Sequence, residues 1–406
     1  MVQPCEGQHM TEYAARAEFD PLNAVRVHTP GLELWSGALD PDSNLFDVPI
    51  APERARREHE RLIETYEAAG IEVHTLAGDL QAAGVLDDLV REYVTIPDAA
   101  DVDLDATLSA LGPHEKLGLA LSRARLEPHQ KAATSVHVER PISNIYFQRD
   151  TTILGDKGPI LCSMAKPVRQ PEIHFVREAW EGIGAERVYE ASAGPIEGGE
   201  FMPMGEFALL GVSAVVDGAE EVLRTSYDAG RSLLKEGAVG CDEFGLVRAP
   251  LEREREIRGS HGGESRLMHL LGWFNVAAKG LAVAFKDLAR AATVDVYERR
   301  GDVYRKARSP TLLEYLDEKG YEVIDASFEE DWPTNFVAVD DGEIIPLYEP
   351  DDDGEYRPEN NPTIEALKER GVTVFPDGEG LPTGALTNGA GGLHCMTTPV
   401  SRGSGR

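Results

Sequence analysis

The stretch from Ser309-Pro310-Thr311 to Gly320, followed by Tyr321-Glu322-Val323-Ile324, decides the fold, because the chain repeats its grammar. Proline has a fixed φ and no N–H, which suits a first helical turn, and a small polar residue beside it caps the helix. Glycine then stops the helix, and the residues beyond read as a strand. Asn361-Pro362-Thr363 opens a second copy, which ends at Gly371 before Val372-Thr373-Val374-Phe375. Pro171 opens a third, which stops near Gly182 and Gly184 ahead of Arg187-Val188-Tyr189. The run Pro52 to Ala69 is a fourth, with Ala55, Leu62, Tyr66 and Ala69 on one stripe. Gly70 ends it, and Ile71-Glu72-Val73-His74-Thr75-Leu76 alternates. A looser copy runs from about Ala219 to Gly237.

Hairpins precede several of these helices. Thr151-Thr152-Ile153-Leu154 turns through Gly155-Asp156-Lys157-Gly158 into Ile160-Leu161-Cys162. Phe274 to Ala278 turns at Lys279-Gly280 into Leu281 to Phe285, and Phe336 to Val339 turns at Asp341-Gly342 into Ile344 to Leu347. The repeated unit is strand, strand, helix, strand. No single unit buries both faces, so five stacked about an axis predict one ring-shaped α/β domain over residues 20–400. Residues 78–133, with Ala82-Ala83-Gly84-Val85-Leu86-Asp87-Asp88-Leu89-Val90, carry helical patterning and no hairpin signal, and read as a helical insertion. The segment 401–406 is expected to be a flexible tail.

Composition narrows the function. The 406 residues carry a net charge of −31 spread along the whole chain. Such an acid excess repels nucleic acid and anionic lipid, so neither is an expected partner. The even spread suits a well-solvated surface in a halophilic cytoplasm. No apolar run reads as a signal peptide or membrane span, which predicts a cytoplasmic protein. Cys5, Cys162, Cys241 and Cys395 form no Cys-x-x-Cys pair, so neither a zinc knuckle nor a redox dithiol is indicated. His261-Gly262-Gly263-Glu264 lacks the flanking strand of a phosphate cradle.

The repeat makes a positional argument. Asp150, Glu197, His269, Asn335 and Cys395 each stand just before the first strand of a unit. Equivalent positions in a pseudo-symmetric ring meet near its axis. A thiol, an imidazole, two carboxylates and an amide would therefore share one mouth, a set suited to nucleophilic catalysis on a cation. Taken singly, each residue has a blander reading. A lone cysteine is usually core, a lone histidine on an apolar segment is usually a satisfied core group, and Arg149-Asp150 could be a surface pair. The Gly-rich approach Asn388-Gly389-Ala390-Gly391-Gly392 favours an exposed loop at Cys395. His394, as a strand neighbour of Cys395, would point away from it.

At these residues the chain resembles the arginine deiminase family of the guanidino-group-modifying (pentein) superfamily. The likeness is carried by Asn144-Ile145-Tyr146-Phe147-Gln148-Arg149-Asp150, Ile196-Glu197-Gly198-Gly199, Met268-His269-Leu270 and Gly391-Gly392-Leu393-His394-Cys395-Met396, and extends from Val25 to Val400. It implies a five-bladed pseudo-symmetric α/β propeller with an early helical insertion. It also implies hydrolysis of arginine to citrulline and ammonia through a covalent cysteine intermediate, without a cofactor or metal. By the same resemblance Cys395 attacks the guanidinium carbon, His269 protonates the departing ammonia and then activates water, Glu197 supports those transfers, and Asp150 holds guanidinium nitrogens. Asn144, Phe147 and Arg169 position the rest of the substrate, and Arg224-Thr225 best matches the family's Arg-Thr pair. Glu200 and Asn335 complete the candidate binding set. A homo-oligomer is compatible with this reading.

Departures from the family pattern bear on the substrate. Leu271 stands where the family has an aspartate clamp, Ala390 where it has an arginine for the substrate carboxylate, and Glu200 where it has a shorter acid. These leave two further readings open. One is amidino transfer, or hydrolysis of another guanidino compound. The other is a non-catalytic binding protein of the same fold.

Overall fold

The computed structural model describes residues 13–46, 48–96, 103–128, 134–138, 140–185, 189–261 and 265–403. Cys5, Arg187-Val188, Gly262-Gly263-Glu264 and the last three residues of the expected tail lie outside them.

Five sheets share one plan. In the second, Thr152–Gly155 pairs antiparallel with Gly158–Leu161, which pairs parallel with Tyr189–Glu190 across the helix Glu172–Gly182. Phe201–Pro203, Phe207–Val212 and Glu243–Arg248 repeat the pattern across the helix Tyr227–Glu236. Phe274–Ala278, Leu281–Ala284 and Glu322–Asp325 do so across Leu312–Glu318. Val337–Asp340, Glu343–Ile345 and Thr373–Val374 do so across Pro362–Glu369. The first sheet joins the two ends of the chain. Leu22–Val27 runs parallel to Glu72–Thr75 across the helix Pro52–Ala68 and antiparallel to Thr398–Arg402. Each sheet stays open.

The helix punctuation follows the expected local chemistry. Pro52 and Pro362 occupy first turns, and Thr311 and Glu314 form a reciprocal capping box. Strand Phe207–Val212 is buried along its whole length, as a strand covered on both faces should be.

Three expectations need correction. Ser401 and Arg402 are not tail; they end the strand Thr398–Arg402, where Arg402 is buried and bonded to three backbone carbonyls. The insertion has the helices Leu76–Ala83, Leu86–Tyr93, Leu104–Ala110 and Pro113–Ser122, but it also carries a hairpin, Ala124–Pro128 with Thr134–Val138. The looser copy has its helix at Tyr227–Glu236, whereas Ala219–Glu221 belongs to a side hairpin with Ala214–Val216. The insertion packs its own apolar cluster, including Leu80, Leu89, Leu117 and Leu121, against Phe175 and Ala179 of the helix Glu172–Gly182. No described helix is long and apolar enough to cross a membrane.

Candidate active site

Each site residue sits at the entrance to a first strand. Asp150 lies in a 3-10 turn, Gln148–Thr151, before Thr152–Gly155. Glu197 precedes the turn Gly198–Glu200 and the strand Phe201–Pro203. His269 precedes the turn Leu270–Gly272, and Asn335 stands two residues ahead of Val337–Asp340. Cys395 lies in a short helix, Leu393–Met396, rather than on the strand expected there.

This equivalence brings the groups together. Asn335 Oδ1 accepts the His394 N–H at 2.9 Å and the Cys395 N–H at 3.4 Å, while Nδ2 donates to Cys395 Sγ at 3.1 Å. Expected as a substrate anchor, Asn335 bonds the Cys395 loop through both ends of its amide. A Cβ on Gly392 would come within 2.7 Å of Asn335 Oδ1, so only glycine permits this approach. Cys395 is buried, and burial with the nearby Asp150 anion pushes its thiol up to about 11, against the Asn335 bond and the Arg149 charge.

His269 Nε2 lies 2.8 Å from Glu197 Oε2, and Nδ1 lies 3.6 Å from Asp150 Oδ1. Burial opposes an imidazolium here, yet Asp150, Glu197 and Glu200 outweigh it and raise the pKa above its ordinary value. Burial also opposes the Glu197 carboxylate, but the His269 bond and the charges of His269, Arg224 and Arg169 bring it down to about 2. The two form a buried ion pair. A Cβ on Gly199 would meet Asp150 Oδ1 and His269 Cγ at 2.7 Å, so a glycine lets carboxylate and imidazole close over it.

Asp150 is only half satisfied. Its Oδ2 accepts from Arg169 Nη1 at 2.6 Å, but its buried Oδ1 has no hydrogen-bond partner among the described residues. Arg169 is itself fully engaged. It pairs bidentately with Glu172 at 2.9 Å on both oxygens and reaches the carbonyls of Asn144 and Phe147 at 3.4 and 3.5 Å. In this arrangement it orients Asp150. Burial, against the Arg169 pair, holds Glu172 up to about 7. Glu172 escaped the sequence reading, although its spacing of three from Arg169 was a usable signal.

The remaining candidates divide. Arg224 Nη1 approaches Glu197 Oε2 at 3.5 Å, and Thr225 Oγ1 accepts the Glu197 N–H at 3.0 Å, so that pair serves the acid. Asn144 Nδ2 donates to the Asn44 carbonyl at 2.6 Å, and Phe147 packs on Tyr146 with ring centroids 4.1 Å apart. Glu200 Oε2 accepts the Leu270 N–H at 2.7 Å. Leu271 is fully buried in the largest apolar cluster with Phe274 and Val276. His394 points away from the thiol toward Glu18, as expected, though from a helical turn and not a strand.

Sequence spacing offered no metal-ligand pair, but the fold sets ligand atoms of Asp150, Glu197 and His269 within 4.8 Å of one another. That set is capable of holding a cation. Arg169 and Arg224 already contact two of its carboxylates, which weakens its claim on a divalent ion.

A buried thiol near a carboxylate oxygen that no described hydrogen bond satisfies, with an imidazolium–carboxylate pair, has the chemistry of a nucleophilic site that meets a cation. Comparison with known proteins gives the class a family. Residues 42–402 match the family model for arginine deiminase. The chain is 33% identical to an arginine deiminase of Halobacterium salinarum, over 97% of each chain. Among solved structures it resembles the N-terminal domain of ArgZ bound to product, an arginine dihydrolase from cyanobacteria, with a TM-score of 0.55, 12% identity and coverage of 95% and 99%. It also resembles a mutant of DDAH from Pseudomonas aeruginosa complexed with citrulline, with a TM-score of 0.53, 14% identity and coverage of 93% and 98%. The chain belongs to the arginine deiminase family, which makes it a hydrolase acting on carbon–nitrogen bonds of linear amidines.

Proposed function

We propose that the chain hydrolyses the guanidino group of arginine to citrulline and ammonia, with Cys395 as nucleophile. The observation that carries this is Asp150 Oδ1, buried beside His269 and without a hydrogen-bond partner among the described residues. A buried acceptor without a donor is costly, and a guanidinium N–H supplies a charge-assisted one.

The chemistry follows from the charges. A guanidinium on Asp150 neutralises the anion that helps hold the thiol protonated, so substrate arrival favours the thiolate. Sulfur attacks the guanidinium carbon, a C–S bond forms, and the His269 imidazolium gives its proton to the departing nitrogen as the C–N bond breaks. Neutral His269 then takes a proton from water, whose oxygen attacks the same carbon. Collapse breaks the C–S bond, returns the thiolate and releases the urea product. The proton freed in forming the new carbonyl ends on ammonia. Glu197 holds His269 charged, Arg224 holds Glu197, and Asn335 steadies the thiolate. Arg169 orients Asp150, Asn144 and Phe147 position the rest of the substrate, and Glu200 fixes the backbone after His269.

Five sheets with one strand order, and a first sheet shared by the two chain ends, support a five-bladed ring with the site at its centre. The acidic composition supports a high-salt cytoplasm.

Citrulline and ammonia should appear in equal amounts from arginine in molar salt. Cys395→Ala should lower the rate at least about 10⁴-fold, since the covalent route is lost. Wild-type enzyme trapped in acid should carry the mass of a thiouronium adduct on Cys395. Citrulline formation that survives Cys395→Ala would sink the mechanism. One observation favours another guanidine as preferred substrate: Ala390, in a left-handed turn, offers no charge to a substrate carboxylate. Comparing kcat/KM for arginine and for its decarboxylated analogue decides between them.

A further inference from the structure

Behind the nucleophile lies a second buried charge cluster that the reaction does not consume. Glu18 is fully buried, and its two oxygens face three partners from distant parts of the chain. Oε2 accepts from Arg149 Nη2 at 3.0 Å. Oε1 lies 3.0 Å from His394 Nε2 and accepts from Arg402 Nη2 at 2.8 Å. Arg402 in turn donates to the carbonyls of Glu18, Asp20 and Ala338 at 2.6, 3.1 and 2.8 Å. All four side chains are 4% exposed or less.

The arrangement has a particular geometry. Arg149 is the residue before Asp150, and His394 is the residue before Cys395. One carboxylate therefore ties the loop that carries the candidate guanidinium anchor to the loop that carries the candidate nucleophile. Neither loop is linked to the other by a shared sheet. Asp150 leads into the sheet of Thr152–Gly155, and Cys395 leads into the strand that pairs with Leu22–Val27.

We infer that Glu18 is a positioning residue, which fixes the distance and angle between Asp150 and Cys395 through Arg149 and His394. This rests on the reading of Cys395 as nucleophile. Misplacing reacting groups by a fraction of an ångström is expensive, so a rigid link here has a kinetic consequence. The cluster also has a sign. One carboxylate faces two guanidiniums, while burial and the two arginines hold His394 down to about 4 and so neutral near pH 7. Of this cluster, Arg149 acts on the thiol directly and lowers its pKa, against the Asp150 anion that raises it. Of the other titratable groups facing Arg402, Asp20 supplies a counter-charge that raises the Arg402 pKa, and Tyr66 adds no cation.

Glu18→Gln tests this with readouts that separate positioning from stability. Removing the carboxylate takes away the anion paired with Arg149, the guanidinium that lowers the thiol pKa, so the pH midpoint for alkylation of Cys395 by iodoacetamide should fall. Yet kcat should drop about tenfold or more while KM stays within about threefold, because reactivity improves as alignment is lost. A folded Glu18→Gln protein with unchanged kcat, or with an unchanged or raised alkylation midpoint, overturns the inference. Should that variant not fold, His394 provides the second arm. His394→Leu cuts only the link to the Cys395 loop, and His394→Gln keeps an N–H donor for Glu18. Gln should recover most of the kcat that Leu loses; equal rates in the two overturn the idea. The alkylation arm needs no substrate, so it is decided even if wild-type enzyme leaves arginine untouched.

Discussion

Glu197 and Glu200 stand at the two ends of one short turn, both buried, and they are held in opposite states. Glu197 is brought down to about 2, while Glu200 is pushed up to about 7. Burial raises both and cannot account for the difference. At Glu197 an imidazole bonded at 2.8 Å and the charges of Arg224 and Arg169 outweigh burial. At Glu200 burial wins, because one backbone N–H and a more distant His269 charge are opposed by Glu197 itself. The identity of the nearest cation decides whether a buried carboxylate is a working anion or a neutral acceptor.

Glu197→Gln should have the largest effect on that contrast. The amide keeps the hydrogen bond in shape but removes the charge, and burial then pulls the His269 pKa down. The fraction of imidazolium near pH 7 falls, and with it the acid proposed for the leaving nitrogen. We expect kcat to fall about 10²-fold, with the activity optimum moved to lower pH. A variant with the wild-type pH profile would show that Glu197 does not set the charge on His269.

Leu271→Asp sharpens the contrast by adding a carboxylate nearby with no cation at all. The sequence made Leu271 look like a lost clamp, and on that view Asp would restore turnover. The structure packs Leu271 in the apolar core, fully buried. Aspartate there loses that packing and buries a polar group without partners, so it should cost about 3 kcal/mol or more in stability, with no gain in kcat. Chemical denaturation and citrulline release, measured together, check both halves. Higher turnover would return Leu271 to the pocket.

These cases mark what was legible. Helix boundaries were, because Pro52, Thr311 and Pro362 act on their own first turns. The approach of Asp150, Glu197 and His269 was legible too, since a repeated unit places equivalent positions alike, and the Asp150 charge reaches the Cys395 thiol. The hairpin Ala124–Pro128 with Thr134–Val138 gave no tight-turn signal. The strands Val294–Arg300 and Val303–Arg308 did carry one, Gly301-Asp302, but their many charges, which belong to a sheet edge, hid the strand pattern around it. Glu18 was invisible for a different reason: its partner His394 is 376 positions away, and no local pattern encodes such a contact. Leu271 was misjudged because a family position was read as a place in the pocket, whereas its side chain lies in the core.

Glu200→Gln should have the smallest kinetic effect, and it tests the contrast from its neutral end. The folded carboxyl titrates at about 7, above the roughly 4.3 of an unfolded glutamate. Below pH 4 both states hold the proton and the group costs nothing. As pH rises toward 7 the unfolded chain ionises first, so the folded state is progressively penalised. Above 7 the penalty levels off, at roughly 3 kcal/mol or less by linkage. Glutamine removes that penalty and still offers an oxygen to the Leu270 N–H. The variant should therefore match wild type in stability near pH 4 and exceed it at pH 8, with kcat changed only about threefold. If instead activity collapses and stability falls at pH 8, Glu200 works as an anion. It would then be a second anchor for the guanidinium, and the two ends of the turn would share one role.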